Sequence, residues 1–343
     1  DFLEVFKTLT NELVTEVLPG YEMGKEPQAW MRRMTDYNVP GGKLNRGLTV
    51  VHACVPQLQT IKGAETTPED IRRACILGWC IEWLQACFLV ADDIMDASPT
   101  RRGAPCWYKV DDVKLIAIND AFLLRSSLLV FVKREFRGDP FYADLLDLIN
   151  ETTFQTELGQ LLDLTSAPLG GQVDLSRFTE ERHRLIVKYK TSFYSFYMPV
   201  AMAMMLGGVT DAAEYDAAKD ILTDMGVYFQ VQDDYLDCYA DPETLGKIGT
   251  DIEDNKCGWL AVQALKLAND AQRKLLHDHY GRDSKDSVAL VKDLYKTLEL
   301  EKLFLAYEED AYASLRKRID GLSGKTPGAV FDALLSKIYK RKK

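Results

Sequence analysis

Two stretches of this chain, Ile71 to Ala91 and Tyr194 to Leu206, have helical length and spacing but are apolar on nearly every side. A helix without a polar face cannot lie on a surface. Each must be sheathed by other helices, as at the centre of a large bundle. Helical periodicity also covers residues 2–18, 27–37, 44–59, 68–95, 114–136, 141–165, 179–206, 211–238, 257–279, 285–321 and 327–339. No alternating segment bounded by turns reads as a strand. No Pro/Gly/Ser-rich linker and no repeat divides the chain, so the expectation is all-α, with residues 1–343 forming a single large domain. Thr67-Pro68-Glu69-Asp70 is a strong helix start: Thr67 as N-cap, proline at the first position, acids in the first turn. Asp211, after Gly207-Gly208, reads as another cap.

The most apolar run, Cys75 to Ala91, is interrupted by Glu82 and Gln85, which argues against a membrane span. With 42 Lys and Arg against 52 Asp and Glu, the net charge is −10. Such a balance disfavours a nucleic-acid surface, which needs cations to displace phosphate counterions. On its face it also disfavours anionic ligands. The seven cysteines form no C-x-x-C pair and mostly lie in apolar runs, so they read as reduced thiols of an intracellular protein. The opening Asp1 to Lys7 does not read as a signal peptide.

Chemistry concentrates in two segments of the form D-D-x-x-D, Asp92-Asp93-Ile94-Met95-Asp96 and Asp233-Asp234-Tyr235-Leu236-Asp237, each after an apolar helical run. On a helix, i and i+4 share a face one turn apart, so Asp92 with Asp96 and Asp233 with Asp237 make two paired-carboxylate faces. Stacked carboxylates repel, and oxygen-preferring cations such as Mg²⁺ relieve that repulsion. One such motif reads as a solvated helix end; two, each after a buried run, point to metal. An ion with few protein ligands keeps positions open for phosphate oxygens.

Cations accompany the acids. Thr100-Arg101-Arg102-Gly103 follows the first motif, and Gly41-Gly42-Lys43-Leu44-Asn45-Arg46 places Lys43 and Arg46 at i, i+3 at a helix start. Helix starts favour anions, and arginine grips phosphate in bidentate fashion. Lys190 and Thr191 sit within apolar and aromatic helix, where a lysine needs an anionic partner. Gln230 precedes Asp233 by three residues on about the same face. Gly246-Lys247-Ile248-Gly249 and Asp254-Asn255-Lys256 read as a loop able to close over phosphate. Other patterns are set aside. Gly321 to Thr326 is too short for a phosphate loop and follows no strand. Glu180-x-x-His183 has no second copy, so it reads as part of a surface helix rather than a di-iron site.

The ordered set, Gly-Gly-Lys-x-x-Arg, two D-D-x-x-D motifs, Thr-Arg-Arg-Gly and Lys-Thr, resembles the short-chain trans-prenyltransferases, of the eukaryotic, fungal type. The likeness runs from Tyr37 to Arg341 and includes Phe154 to Gln160 and Ile248 to Ile252. It implies a helical bundle around a central active-site cavity, Mg²⁺ as cofactor (three ions with bound allylic diphosphate), and isopentenyl and allylic diphosphates as substrates. It also implies a cytoplasmic homodimer serving sterol and isoprenoid synthesis. By the same resemblance Asp92, Asp96 and Asp233 hold metal, with Asp93, Asp234, Asp237 and Asp163 in or beside the surrounding shell. Arg101, Lys190 and Lys247 contact the allylic diphosphate, with Lys256 nearby. Lys43, Arg46, Gln85 and Arg102 bind the isopentenyl diphosphate, and the basic end from Lys340 to Lys343 folds over that second site. Negative charge growing on the departing diphosphate is stabilised by divalent cations with Lys and Arg, the electrostatic preorganisation that dominates many reactions. The Thr191 and Gln230 oxygens face the carbocation, and no catalytic triad is needed.

Bulk ahead of the first acidic motif limits product length in this family. Phe88 lies one turn before Asp92 and can floor a pocket, but Cys87 stands where members making the fifteen-carbon product usually carry a second aromatic. The reading is a fifteen-carbon product with some leakage to twenty. The alternatives are a synthase of the twenty-carbon product and a non-catalytic modulating subunit. A subunit of that kind would lose acids or cations that this chain retains, and a terpene cyclase would not need Lys43, Arg46 and Arg102. Purified protein given labelled isopentenyl diphosphate and each allylic primer should yield mainly the fifteen-carbon diphosphate. A dominant twenty-carbon product overturns that expectation.

Overall fold

A computed structural model describes residues 1–62, 65–166, 173–241, 249–322 and 328–341. In chain order the helices are α1 (Phe2–Glu12), α2 (Lys25–Asn38), α3 (Asn45–Lys62), α4 (Pro68–Met95), α5 (Ile116–Phe136), α6 (Tyr142–Leu164), α7 (Glu180–Val187), α8 (Met198–Leu206) and α9 (Ala212–Tyr239). They continue as α10 (Trp259–Leu267), α11 (Asp270–His279), α12 (Lys285–Thr297), α13 (Leu300–Asp320) and α14 (Gly328–Ile338). The all-α expectation holds. By its internal contacts the chain forms two compact units. The first is Asp1–Asn150 with Met198–Glu214, and the second is Glu151–Tyr197 with Tyr215–Lys343.

The first unit is organised by α4. Thr67 and Asp70 close a reciprocal capping box: the Asp70 N–H donates to Thr67 Oγ1 and the Thr67 N–H to Asp70 Oδ2, both at 3.1 Å. Beyond this cap the helix buries nearly every side chain from Ala74 to Leu84, as its missing polar face requires. Among the described residues it alone is long and apolar enough to cross a membrane, but 78% of its apolar window is buried inside the fold. It is a core helix, packed by α1, α3, α5 and α8. Trp79 stacks on Phe2 with ring centres 4.5 Å apart, and its indole N–H donates to the Phe2 carbonyl.

Helices α3 and α4 cross at two glycines. A Cβ on Gly78 would lie 2.5 Å from the Gly47 carbonyl oxygen, and one on Gly47 would lie 2.8 Å from that of Gly78. No side chain fits between these backbones.

A short antiparallel ladder pairs Thr100 with Pro105 and Arg101 with Ala104. These are the β1 (Thr100–Arg101) and β2 (Ala104–Pro105) strands that periodicity did not reveal, because two residues are too few to alternate. The turn between them has Arg102 at φ 54° and Gly103 at φ 77°, the positive angles of a tight hairpin.

In the second unit three expected helices are broken. The run over 179–206 is α-helical only at its ends, with a π-helical segment, Lys188–Tyr197, between them. The run over 257–279 stops at Ala268, and Asn269 starts a new helix with a capping box to Gln272. The run over 285–321 is divided at Glu299, whose φ is 54°. The core here includes Trp259, Tyr280, Tyr295 and Phe304, with Tyr235 stacked on Phe304 at 3.9 Å. All seven cysteines are free, and all but Cys238 are buried.

Substituting Gly78→Ala should separate α3 from α4 and cost about 2 kcal/mol of stability, in the range of overpacked cores. Urea unfolding checks this; an unchanged midpoint would refute the tight crossing.

Candidate functional site

Helix α4 delivers the first acidic motif as it runs out. Asp92 lies in its last turn, and Asp96 is its C-cap, with the Asp96 N–H bonded to the Asp92 carbonyl. The Asp93 side chain turns inward, is 3% exposed, and takes both Nε (3.0 Å) and an Nη (2.5 Å) of Arg101. Arg101 also approaches Asp92 at 3.6 Å. The hairpin therefore brings Arg101 back onto the helix end it has just left.

In the same unit the start of α3 carries the second cation group. Arg46 donates to the Gln85 side-chain oxygen at 3.0 Å. Lys43 and Arg46 are not successive positions of one helical face: the helix begins at Asn45, and Leu44 at φ 51° turns Lys43 out ahead of it. Gly41 and Gly42 seat the Arg102 guanidinium, since a Cβ on either would fall 3.1–3.3 Å from it, and Arg102 donates to the Asn38 carbonyl. Partial desolvation, with Arg101 and Arg46 nearby, pulls the Arg102 pKa below its ordinary value against the opposite influence of Glu82. Cys87 is buried and Phe88 partly buried, one turn before Asp92 on α4.

In the second unit the π-helical segment displays Lys190 and Thr191. It is held in two notches: a Cβ on Gly159 of α6 would lie 2.0 Å from Lys190 N, and one on Gly226 of α9 would lie 2.5 Å from Ser192 Oγ. Lys190 Nζ and Lys256 Nζ both bond to Asp163 Oδ2, at 2.7 and 3.2 Å. The Thr191 hydroxyl donates to Gln230 Oε1 at 3.1 Å, and Gln230 Nε2 donates to Asp234 Oδ1 at 3.1 Å. Asp234 also accepts the Trp259 N–H and meets His183 Nε2 at 2.8 Å. The amide of Gln230 is thus oriented from both sides. Asp237 is likewise buried and accepts the Asp251 N–H at 3.0 Å, so Asp233 and Asp237 are not an equivalent pair on one open face.

Arg341 reaches the second acidic motif, donating to Asp233 Oδ1 at 2.9 Å with its guanidinium 3.9 Å from the centre of the Phe229 ring. Lys340 pairs with Glu309 instead. Lys247, Lys342 and Lys343, and most of the Gly321 to Thr326 segment, lie outside the described residues.

The acids fit a divalent cation on electrostatic grounds. A helix C-terminus carries partial negative charge and favours basic side chains in its last turn. Helix α4 runs out on Asp92 and Asp96, and α9 carries Asp237 in its last turn with Asp233 one turn earlier; neither helix has a basic residue in its last turn. Among the described residues no cluster of three metal-ligating side chains is assembled. One or two carboxylates per ion suit Mg²⁺, which keeps waters and takes substrate phosphates as its remaining ligands.

The polyprenyl synthetase family matches residues 28–298, and the chain belongs to that family. It is 51% identical to farnesyl pyrophosphate synthase 1 of Parthenium argentatum over 342 residues, covering 100% of this chain and 98% of the relative. It is 51% identical to farnesyl diphosphate synthase of Dictyostelium discoideum, covering 99% of this chain and 89% of the relative. Among solved structures, the T. brucei farnesyl diphosphate synthase complexed with minodronate superposes with a TM-score of 0.92 at 37% identity, covering 100% of this chain and 99% of that one. None of these relatives is fungal, and the fungal branch expected above gains no support from them.

Sequence reasoning missed Glu82, which is buried between α3 and α4, and the two glycine notches. It also misplaced His183, which is 5% exposed and bonded to Asp234 rather than on a surface face. The four-residue helix spacing shows pairs on one helix but not partners across helices.

The Asp163 cluster has a pH signature. Burial works to raise the Asp163 carboxyl, but Lys190 and Lys256 hold it below the usual carboxylate range. A lowered folded pKa contributes stability that is present above the unfolded value of about 3.9 and is lost as pH falls through the folded value. Wild type should therefore exceed Asp163→Asn in unfolding free energy at about pH 6, and the gap should narrow toward about pH 3. A gap that does not change with pH would contradict this account.

Proposed function

We propose that this chain is a farnesyl diphosphate synthase, condensing isopentenyl diphosphate head-to-tail with dimethylallyl and then geranyl diphosphate. The observation that carries the reading is that an aspartate motif and phosphate-type cations recur in each unit: Asp92 and Asp93 beside Arg101 in the first, and in the second Asp233 with Arg341, and Asp163 with Lys190 and Lys256. Full-length relatives bearing that name support it. So does the bisphosphonate with which a T. brucei farnesyl diphosphate synthase of the same fold is complexed, because a bisphosphonate shares the charge and shape of a diphosphate.

In this reading Asp92, Asp96 and Asp233 hold Mg²⁺, three ions in all. When bound, the metal supplies positive charge for the diphosphate that departs from the allylic carbon. Arg101, Lys190, Lys247 and Lys256 bind that diphosphate. Arg46, Gln85, Arg102 and Lys43 hold the isopentenyl diphosphate so that its double bond meets the allylic carbon. The Thr191 hydroxyl and the Gln230 amide oxygen, fixed by Asp234, present oxygen dipoles that stabilise the carbocation. The released diphosphate takes the proton, so no histidine base is needed. Phe88 stops growth at fifteen carbons, and the longer product is not favoured. Residues 1–343 are proposed to act together as one catalytic domain.

The active form proposed is a cytoplasmic homodimer. Helix α5 exposes Ile118 and Phe122, and α6 exposes Phe154, Leu158 and Leu161, apolar side chains at helical spacing that call for cover. Free thiols agree with a reducing compartment.

Asp92→Ala removes a carboxylate from a helix C-terminus, where it is unfavourable for folding. The variant should keep its circular dichroism and melting temperature while kcat falls by about a thousandfold or more. Turnover near wild type would exclude Asp92 from the metal chemistry.

A further inference from the structure

One buried charge in the first unit has no role in the scheme above. Glu82 lies mid-way along α4, is 3% exposed, and faces the start of α3. Its Oε1 accepts the Gly47 N–H at 2.8 Å, and it is also hydrogen-bonded by the Arg46 N–H. Burial works to raise its pKa, while those N–H groups and the guanidinium groups of Arg46 and Arg102 oppose that rise. The carboxylate therefore caps α3 from a neighbouring helix.

The position of this cap matters. Helix α3 begins at Asn45, so the two N–H groups that Glu82 takes are among the first-turn donors that would otherwise attract an anion. Once they are satisfied internally, an incoming diphosphate must be bound by side chains. The residue whose backbone Glu82 fixes, Arg46, is also the one whose guanidinium rests on Gln85, one turn further along α4. Gly47 permits the arrangement, since a Cβ there would lie 3.0 Å from Glu82 Cγ and 2.8 Å from the Gly78 carbonyl.

We propose that Glu82 is a positioning residue for the isopentenyl diphosphate subsite: by accepting the first N–H groups of α3, it aims Arg46 and prevents a diphosphate from docking on the helix terminus. This rests on the proposed function, because that reading assigns Arg46, Gln85 and Arg102 to isopentenyl diphosphate. The inferred effect belongs to one substrate, since the two cations that act on Glu82, Arg46 and Arg102, are both assigned to isopentenyl diphosphate. The geometry asks for an acceptor at this point, which a glutamine oxygen also supplies.

The test is steady-state kinetics on the purified full chain, varying isopentenyl diphosphate at saturating geranyl diphosphate and then the reverse. Glu82→Ala should raise KM for isopentenyl diphosphate by about tenfold or more and leave KM for geranyl diphosphate within about twofold, as expected from losing a charged acceptor on one side only. Glu82→Gln should stay within about threefold of wild type for both substrates. If Glu82→Ala does not fold, Glu82→Asp, which draws the acceptor back by one carbon, serves the same comparison. Equal shifts in both KM values, an unchanged isopentenyl KM, or a Glu82→Gln defect as large as that of Glu82→Ala each overturn the assignment. Wild type that fails to join the two diphosphates defeats the proposed function itself, whatever the variants do.

Discussion

The burial of α4 is the constraint on which the first unit depends. A helix of 28 residues with no polar face has no stable place except inside other helices, and α1, α3, α5 and α8 supply that cover. The same burial makes α4 a rigid rod whose end is fixed in space. The aspartates on its last turn are therefore carried by the core, not by a loop, and their position is as firm as the packing of Trp79 and Trp83 below them. Close approach of α3, allowed by Gly47 and Gly78, then places Arg46 beside Gln85 one turn beyond Glu82.

Charge works locally against the total. The chain carries a net −10, and six of its acids are gathered in two D-D-x-x-D motifs towards the C-terminal ends of α4 and α9, which creates a local demand for divalent cations. The same carboxylates also organise the fixed cations: Asp93 takes Arg101, Asp163 takes Lys190 and Lys256, and Asp233 takes Arg341. A polyanionic substrate is thus compatible with an acidic protein, because acids recruit the positive charge that binds it. Each aspartate motif has members facing different partners. Asp93, Asp234 and Asp237 are buried against protein groups, while Asp92, Asp96 and Asp233 are partly exposed.

Much of this was legible in the linear pattern. The start of α4 was marked by Thr67 and Pro68, and its end by Asp92 to Asp96, because caps and periodicity are local properties. The breaks were less visible. Nothing in Lys188 to Tyr197 marks a π-helix; the segment widens where Gly159 and Gly226 let neighbouring backbones press against it. His183 looked like a surface residue because the partner that buries it, Asp234, lies 51 residues away.

By itself the sequence determined the class of fold, the two acidic helix ends and the cation types around them, since these follow from side-chain chemistry and helical spacing of 3.6 residues per turn. Tertiary structure alone decided which acids of each motif turn inward, that Gly41 and Gly42 seat the Arg102 guanidinium, and that Glu82 caps a helix it does not belong to. The physical reason is that hydrogen-bond partners and close backbone approaches depend on which helices meet. Residues far apart along the chain can then compete for, or share, the same buried charge.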